Sequence, residues 1–260
     1  MGVLDGKVAL ITGGTRGIGR GIAEGFLAAG ARVVINGRSQ DKGRQAIAEM
    51  AAGDAAHFIA ADVSVREECD ALVDAAAQRF DGLHILVNNA GGGGGFGPVH
   101  LLTDEAMQLG FSINVMSTFW CCRRALPLLI GQQWGRIINV SSIEGKIAKA
   151  AIAPYVVGKH GVNGLTKVIA VETATLGVTS NAICPGAIET DMMKESGPAA
   201  AAAAGITYEA FLDSFAQEAL IKRLNTVDEI SAMATLLASD AGGGITGQCI
   251  NVDGGTVIAG

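Results

Sequence analysis

Proline, paired cysteine, clustered basic charge and long apolar runs are all scarce in this sequence, and each scarcity closes off a class. Only 5 residues of 260 are proline, against 37 glycine, with 49% of the chain hydrophobic and 17% charged. That balance excludes a collagen-like, fibrous or disordered chain. The 5 cysteines (Cys69, Cys121, Cys122, Cys184 and Cys249) are odd in number, form no C-x-x-C pair and have no histidine at ligand spacing. Neither a disulfide framework nor a metal site is expected, and the thiols read as small buried hydrophobes of a reducing compartment. Lys plus Arg number 19 and Asp plus Glu 25, a net charge of −6, with no cation cluster able to neutralise a row of phosphates. Neither a nucleic acid nor an anionic membrane is expected as partner. No apolar run reaches about eighteen residues, and residues 1–6 carry neither a cationic-then-apolar leader nor the Ser or Thr that myristoylation wants where Gly6 stands. The expectation is a soluble cytoplasmic protein.

What is present is an alternation. Apolar runs of strand length (Val8 to Ile11, Val33 to Ile35, Ala56 to Ala60, Ile85 to Val87, Ile137 to Val140, Thr179 to Ile183, Cys249 to Val252) are separated by amphipathic stretches such as Ile18 to Ala29, Arg66 to Phe80 and Val227 to Ala238. Strands that are apolar throughout belong to sheets covered on both faces, so repeated βαβ units predict an α/β, doubly wound (Rossmann) parallel sheet. The expected architecture is a three-layer sandwich, one domain over residues 1–260. The rhythm breaks only near residues 190–222, where an alanine run (Ala199 to Ala204) lies between Gly197-Pro198 and Gly205. Ligands of such folds bind outside the carboxyl ends of the strands, so this insertion is expected to be a mobile substrate lid; a plain helical hairpin is the alternative.

The first strand runs into Thr12-Gly13-Gly14-Thr15-Arg16-Gly17-Ile18-Gly19 and then a helix. Glycines there let backbone amides approach a pyrophosphate, and the helix dipole favours the anion. The spacing is G-x-x-x-G-x-G, and a dinucleotide is the expected ligand. Sites that select NAD carry a carboxylate at the end of the second strand; here the stretch is Val34-Ile35-Asn36-Gly37-Arg38. Guanidinium groups at Arg38 and Arg16 suit a 2′-phosphate, so NADP is favoured and NAD remains possible. Both arginines would otherwise be ordinary solvated charges.

Pro154-Tyr155-Val156-Val157-Gly158-Lys159 sets a tyrosine and a lysine four apart on one helix face, and Ser142 stands thirteen residues earlier at the end of a strand. Asn88-Asn89-Ala90-Gly91 ends another strand, and Asn114 is a polar residue within a helix-period apolar stretch. Each also has an ordinary use: Ser142 as a helix cap, Asn89 as a turn former, Asn114 as a buried amide bonded to backbone.

Taken together, Thr12-Gly13-x-x-x-Gly17-x-Gly19, Asn88-Asn89-Ala90-Gly91, Asn114, Ser142, Tyr155-x-x-x-Lys159 and Pro185-Gly186 resemble the short-chain dehydrogenase/reductase family, over nearly the whole chain through Asn251-Val252-Asp253-Gly254-Gly255. The resemblance implies that Tyr155 is the general acid or base at a carbonyl oxygen, that Lys159 and an oxidised nicotinamide lower its pKa, and that Lys159 also bonds the ribose. A free phenol titrates near 10, so work near neutrality needs a shift of about two to three pH units. Ser142 would hold the carbonyl, and Asn114 a water that connects Lys159 to solvent. For the cofactor the resemblance implies Gly13, Thr15, Arg16, Gly17, Ile18 and Gly19 in the first turn, and Arg38 at the second strand. It further implies Asp62 and Val63 at the adenine, Asn89, Ala90 and Gly91 at the ribose, and Pro185, Gly186, Ile188 and Thr190 at the carboxamide. Homo-oligomers, dimers or tetramers, are expected through Ser117 to Ile130 and Val156 to Leu176.

For the substrate, the stretch Tyr155 to Gly186 is similar to the 3-hydroxybutyrate dehydrogenases. Their carboxylate clamp, however, has Gln, His and Lys where this chain has Gly94, Glu144 and Ile152, and an ionised Glu144 repels a substrate carboxylate. Gly91 to Gly95 and Glu144-Gly145-Lys146 instead resemble ketoreductases of aromatic polyketide synthesis and 3-oxoacyl-thioester reductases. The expectation is an NADP(H)-dependent reductase of a ketone, with an NAD-dependent 3-hydroxybutyrate-type dehydrogenase as the alternative. A non-catalytic dinucleotide-binding sensor or scaffold is the alternative from another class.

Overall fold

The computed structural model describes residues 2–258; Met1, Ala259 and Gly260, the ends of the expected domain, lie outside the described residues. Among the described residues seven strands form one sheet: β1 (Val8–Ile11), β2 (Arg32–Gly37), β3 (Ala56–Ala60), β4 (Ile85–Asn88), β5 (Gly135–Val140), β6 (Val178–Pro185) and β7 (Cys249–Val252). Every pairing is parallel and the order is β3-β2-β1-β4-β5-β6-β7. Each apolar run singled out above is a strand, because a parallel sheet buries both faces and selects continuous rather than alternating hydrophobicity.

β1 shows the consequence. Ala9 and Ile11 enter one core with Ile22, Phe26, Ile230 and Leu237, from α1 (Gly17–Ala28) and the last helix, residues 227–238. Val8 and Leu10 enter the opposite core with Cys69, Leu72, Cys121 and Leu129, from helices 66–79 and 117–131. Four of the five cysteines are buried, where desolvation pushes the Cys122 thiol up to about 12, so they serve as packing atoms.

In chain order the remaining helices are α2 (Gln40–Met50), α3 (Arg66–Arg79), α4 (Asp104–Phe111), α5 (Ser117–Gly131), α6 (Ala153–Thr173), α7 (Asp191–Ala203), α8 (Tyr208–Glu218) and α9 (Val227–Ala238). The strand order reverses at β1 and β4, which opens a crevice at their carboxyl ends. Above it the expected insertion is a helical hairpin, α7 and α8, each capped by a threonine: Thr190 accepts from Met193 N at 3.4 Å and Thr207 from Ala210 N at 3.2 Å. Among the described residues no helix is long and apolar enough to cross a membrane.

Candidate active site

The crevice begins at the turn between β1 and α1. Gly13 and Gly17 have φ of +64° and +54°, a left-handed backbone that side-chain-bearing residues rarely adopt. Thr12, absent from the expected site residues, is the hub: its hydroxyl accepts from Asn89 N and Ala90 N, both at 3.0 Å. The Asn89 amide donates to Thr12 O at 2.9 Å and Gly13 O at 3.0 Å, so this side chain ties β4 to the glycine turn. A Cβ on Gly19 would lie 2.3 Å from Asn89 Nδ2, which accounts for the third glycine. Thr15 packs at the end of β2 beside Gly37, and Ile18 packs on the core.

No side chain of the turn caps α1, and its first amide is left for an outside acceptor. That acceptor is a carboxylate. Asp191 Oδ2 takes Gly17 N at 3.2 Å, and one turn on along α7, Glu195 Oε1 takes Arg16 Nη1 at 2.7 Å. The two acids are an i,i+4 pair on one helix face, a spacing legible in the sequence. They stand in for anions at a helix start, the chemistry a pyrophosphate requires, and the turn therefore fits a dinucleotide. Thr190 closes the other side, its Cβ 3.6 Å from where a Gly17 Cβ would be.

At the ends of β2 and β3, Arg38 is exposed and close enough to Asp62 to help hold its carboxyl low. The larger cause is Ser64, whose hydroxyl and amide donate to Asp62 Oδ1 at 2.7 and 2.9 Å. Val63 is half-buried beside it against the core.

The side chains expected to react sit at the ends of β5 and β6. Pro154 in the first turn starts α6, which carries Tyr155 and, one turn later, Lys159. The Lys159 ammonium lies 5.5 Å from the Tyr155 ring centre and donates to Val140 O at 2.8 Å. Ser142 leaves β5 and caps a short turn: its hydroxyl accepts from Glu144 N at 3.3 Å and donates to the Glu144 carboxylate. The capping role and the position in the crevice thus belong to the same residue.

Burial pushes Tyr155 up to about 12, opposed by the Ser142 hydroxyl and reinforced by Glu144, and pushes Lys159 down to about 8. The chain's own residues thus shift the phenol opposite to the lowering that the expectation ascribes to Lys159 and an oxidised nicotinamide together. Burial disfavours the charged form of each group, and Lys159, spent on a carbonyl, does not offset it. A second positive charge, which an oxidised nicotinamide would bring, is what the expectation also relied on.

Asn114 lies on a π-turn, residues 112–116, and its side chain is bonded to the backbone. Nδ2 donates to Gly92 O at 2.8 Å and Gly110 O at 2.7 Å, and Oδ1 accepts from Gly92 N at 3.3 Å. It fastens the glycine loop after β4. It remains near Lys159: a Cβ on Gly91 would lie 2.6 Å from Asn114 Oδ1 and 3.2 Å from Lys159 Nζ, so the crevice needs glycine there. A Cβ on Gly186, after Pro185, would likewise lie 2.8 Å from the Asp253 backbone, Ile188 is buried, and the Thr190 hydroxyl caps α7.

Residues 7–201 match the sequence model of the short chain dehydrogenases. The chain belongs to that family. As a short-chain dehydrogenase it is an oxidoreductase acting on CH–OH groups, of a family that binds NAD(P). It is 39% identical over 260 residues to a D-beta-hydroxybutyrate dehydrogenase of Cupriavidus necator, covering 98% of this chain and 99% of that protein. It is 38% identical to a putative ketoacyl reductase of the monensin polyketide synthase from Streptomyces virginiae, covering 96% of each. Among solved structures, a point variant of the actinorhodin polyketide ketoreductase with NADPH superimposes over 100% of both chains with a TM-score of 0.93 at 33% identity. The α/β fold and the kinship with hydroxybutyrate dehydrogenases and ketoreductases expected from the motifs are thereby borne out.

Proposed function

We propose that the protein is an NADPH-dependent reductase of uncharged ketones, of the 3-oxoacyl or polyketide-like class, with Tyr155 as general acid. The observation that carries the reading is the convergence of Tyr155, Ser142 and Lys159 at the carboxyl ends of β5 and β6, across the crevice from an uncapped helix start that already holds carboxylates. A pure binding module needs no acid and base so arranged.

Gly13, Thr15, Arg16, Gly17, Ile18 and Gly19 would hold the pyrophosphate, Arg16 and Arg38 the 2′-phosphate, Asp62 and Val63 the adenine, and Ala90 and Gly91 the ribose, on a turn braced by Asn89. Pro185, Gly186, Ile188 and Thr190 would hold the carboxamide. Bound nicotinamide supplies a hydride. The chain's own residues do the rest: Ser142 donates to the carbonyl oxygen, Tyr155 gives its proton to the oxygen as the alkoxide forms, and Lys159 supports the phenolate left behind. Asn114 keeps the glycine loop against Lys159. The hairpin α7–α8 acts as a lid, since Asp191 and Glu195 must leave Gly17 and Arg16 for phosphates to bind there.

The kinship with the Cupriavidus enzyme favours a second reading, oxidation of a 3-hydroxy acid with NAD. The half-buried Glu144 beside Ser142 opposes it by like-charge repulsion. Exposed apolar side chains on α6 (Val168, Val171) and α5 (Phe119, Leu128) support an isologous homo-oligomer, and the free cysteines fit the reducing cytoplasm. The test is a steady-state panel of NADPH and NADH against acetoacetate, an acetoacetyl thioester and bicyclic ketones. The proposal expects turnover of the thioester or bicyclic ketones with NADPH; preference for acetoacetate with NADH contradicts it.

A further inference from the structure

The hydroxyl that would hold the substrate carbonyl is already committed. A serine hydroxyl has one proton to give, and that of Ser142 goes to Glu144 Oε2, while its oxygen accepts from Glu144 N at 3.3 Å. The carboxylate and the backbone amide of Glu144 both meet Ser142, folded back by the short turn Ile143–Gly145, and the Tyr155 hydroxyl lies on the same Ser142 oxygen's other side, close enough to feel it. The carboxylate has no lysine, arginine or histidine within 4.0 Å among the described residues. Its other oxygen, Oε1, accepts no hydrogen bond among them. It lies close enough to Tyr155 and Lys159 to act on both through its charge.

An unpaired, half-buried carboxylate one hydrogen bond from the reacting oxygen is more than a charge to be tolerated. A neutral ketone competes poorly with a carboxylate for a hydroxyl proton, because hydrogen bonds to ionised acceptors are roughly twice as strong. A substrate that brings its own O–H to Glu144 gives the carboxylate a replacement donor and releases the Ser142 proton for the carbonyl. A substrate that brings a second carboxylate meets repulsion in a site of reduced dielectric.

Building on the reductase reading, we infer that Glu144 is the specificity-determining residue: it selects ketones bearing a hydroxyl or enol group on the first or second carbon from the carbonyl, and rejects those bearing a carboxylate there. Two successive hydrogen bonds, from carbonyl oxygen to Ser142 and from Ser142 to Glu144, reach about 5 Å, the span such a donor must cross. Because the donor frees Ser142 for the reacting oxygen, the preference falls on kcat more than on KM.

The experiment measures NADPH oxidation by wild type, Glu144→Gln and Glu144→Ala with two matched pairs: acetoin against butanone, and methyl acetoacetate against acetoacetate. Wild type is expected to favour acetoin over butanone, and the ester over the acid, at least tenfold in kcat/KM, the first ratio lying mainly in kcat. Glu144→Ala is expected to bring both ratios within threefold of unity. Glu144→Gln, which keeps an acceptor oxygen and loses the charge, is expected to abolish the second ratio and retain part of the first. Fluorescence titration with NADPH shows that each variant keeps a folded cofactor site, and the wild-type ratios stand without any variant. Wild-type ratios within threefold of unity, or ratios unchanged by both substitutions, overturn the inference while leaving the reductase reading intact. No turnover of any of the four compounds overturns the inference; the reductase reading falls with it only if the acetoacetyl thioester and the bicyclic ketones, assayed alongside, are not reduced either.

Discussion

Gly91 lies where the cofactor loop, Asn114 and Lys159 meet, and alanine there is a local probe of the whole arrangement. Its φ is not in the left-handed region, so the substitution adds a methyl group without backbone strain. That methyl would lie 2.6 Å from Asn114 Oδ1, where contacts under 3.0 Å essentially do not occur, and 3.2 Å from Lys159 Nζ. Asn114 cannot simply retreat, being pinned to Gly92 O and Gly110 O at 2.8 and 2.7 Å. Overpacking and stretched hydrogen bonds cost about 1–3 kcal/mol, a fall in Tm of roughly 2–10 °C for a domain of this size. Displacing Lys159 by a few tenths of an ångström should cost about ten- to a hundredfold in kcat. Gly93→Ala is the control, since nothing lies within 4 Å of its added methyl, and it should leave kcat unchanged and stability within about 0.5 kcal/mol. Thermal melts with steady-state kinetics read both effects. A Gly91→Ala enzyme with wild-type kcat and Tm would refute the packing of Gly91 between these two groups.

Other perturbations separate cofactor choice from stability. Arg38→Asp should lower the ratio of kcat/KM for NADPH over NADH by about a hundredfold, or about 2.7 kcal/mol, through loss of a phosphate contact and added repulsion; an unchanged ratio removes Arg38 from cofactor selection. Lys159→Met should abolish turnover and yet stabilise the fold at pH 7 by on the order of 2–3 kcal/mol, because the buried ammonium titrates near 8 instead of about 10.5. The sign follows from the depressed value: the cost of keeping the lysine charged is fully present below about 8 and is gone above about 10.5, so the variant's advantage should vanish by pH 10.5. Denaturant melts at pH 7 and pH 10.5 check it, and a Lys159→Met enzyme less stable than wild type at pH 7 contradicts it.

The sheet was legible because its strands are buried on both faces: Val8 to Ile11 shows no alternation, and in the structure neither face of β1 meets solvent. Tyr155 and Lys159 were legible because helical spacing alone puts them on one face. Contacts between distant segments were not. The Asn114 amide turns to Gly92 and Gly110 through a π-turn, an irregular insertion that a 3.6-residue period does not reveal. Asp191 and Glu195 are visibly paired on a helix, yet their meeting with Gly17 and Arg16 spans more than 170 residues of chain. The direction in which Tyr155 shifts depends on its burial and on Ser142 and Glu144, which reach it only through tertiary packing. Glu144 was read as a charge; its hydrogen bond to Ser142 depends on a three-residue turn that folds the side chain back.

The central claim is that the Tyr155 hydroxyl supplies the proton, and Tyr155→Phe removes that atom while sparing the ring. The account predicts NADPH binding within about threefold of wild type by fluorescence titration, with kcat reduced at least a thousandfold at every pH from 6 to 9. Residual turnover above about a tenth of wild type would contradict it.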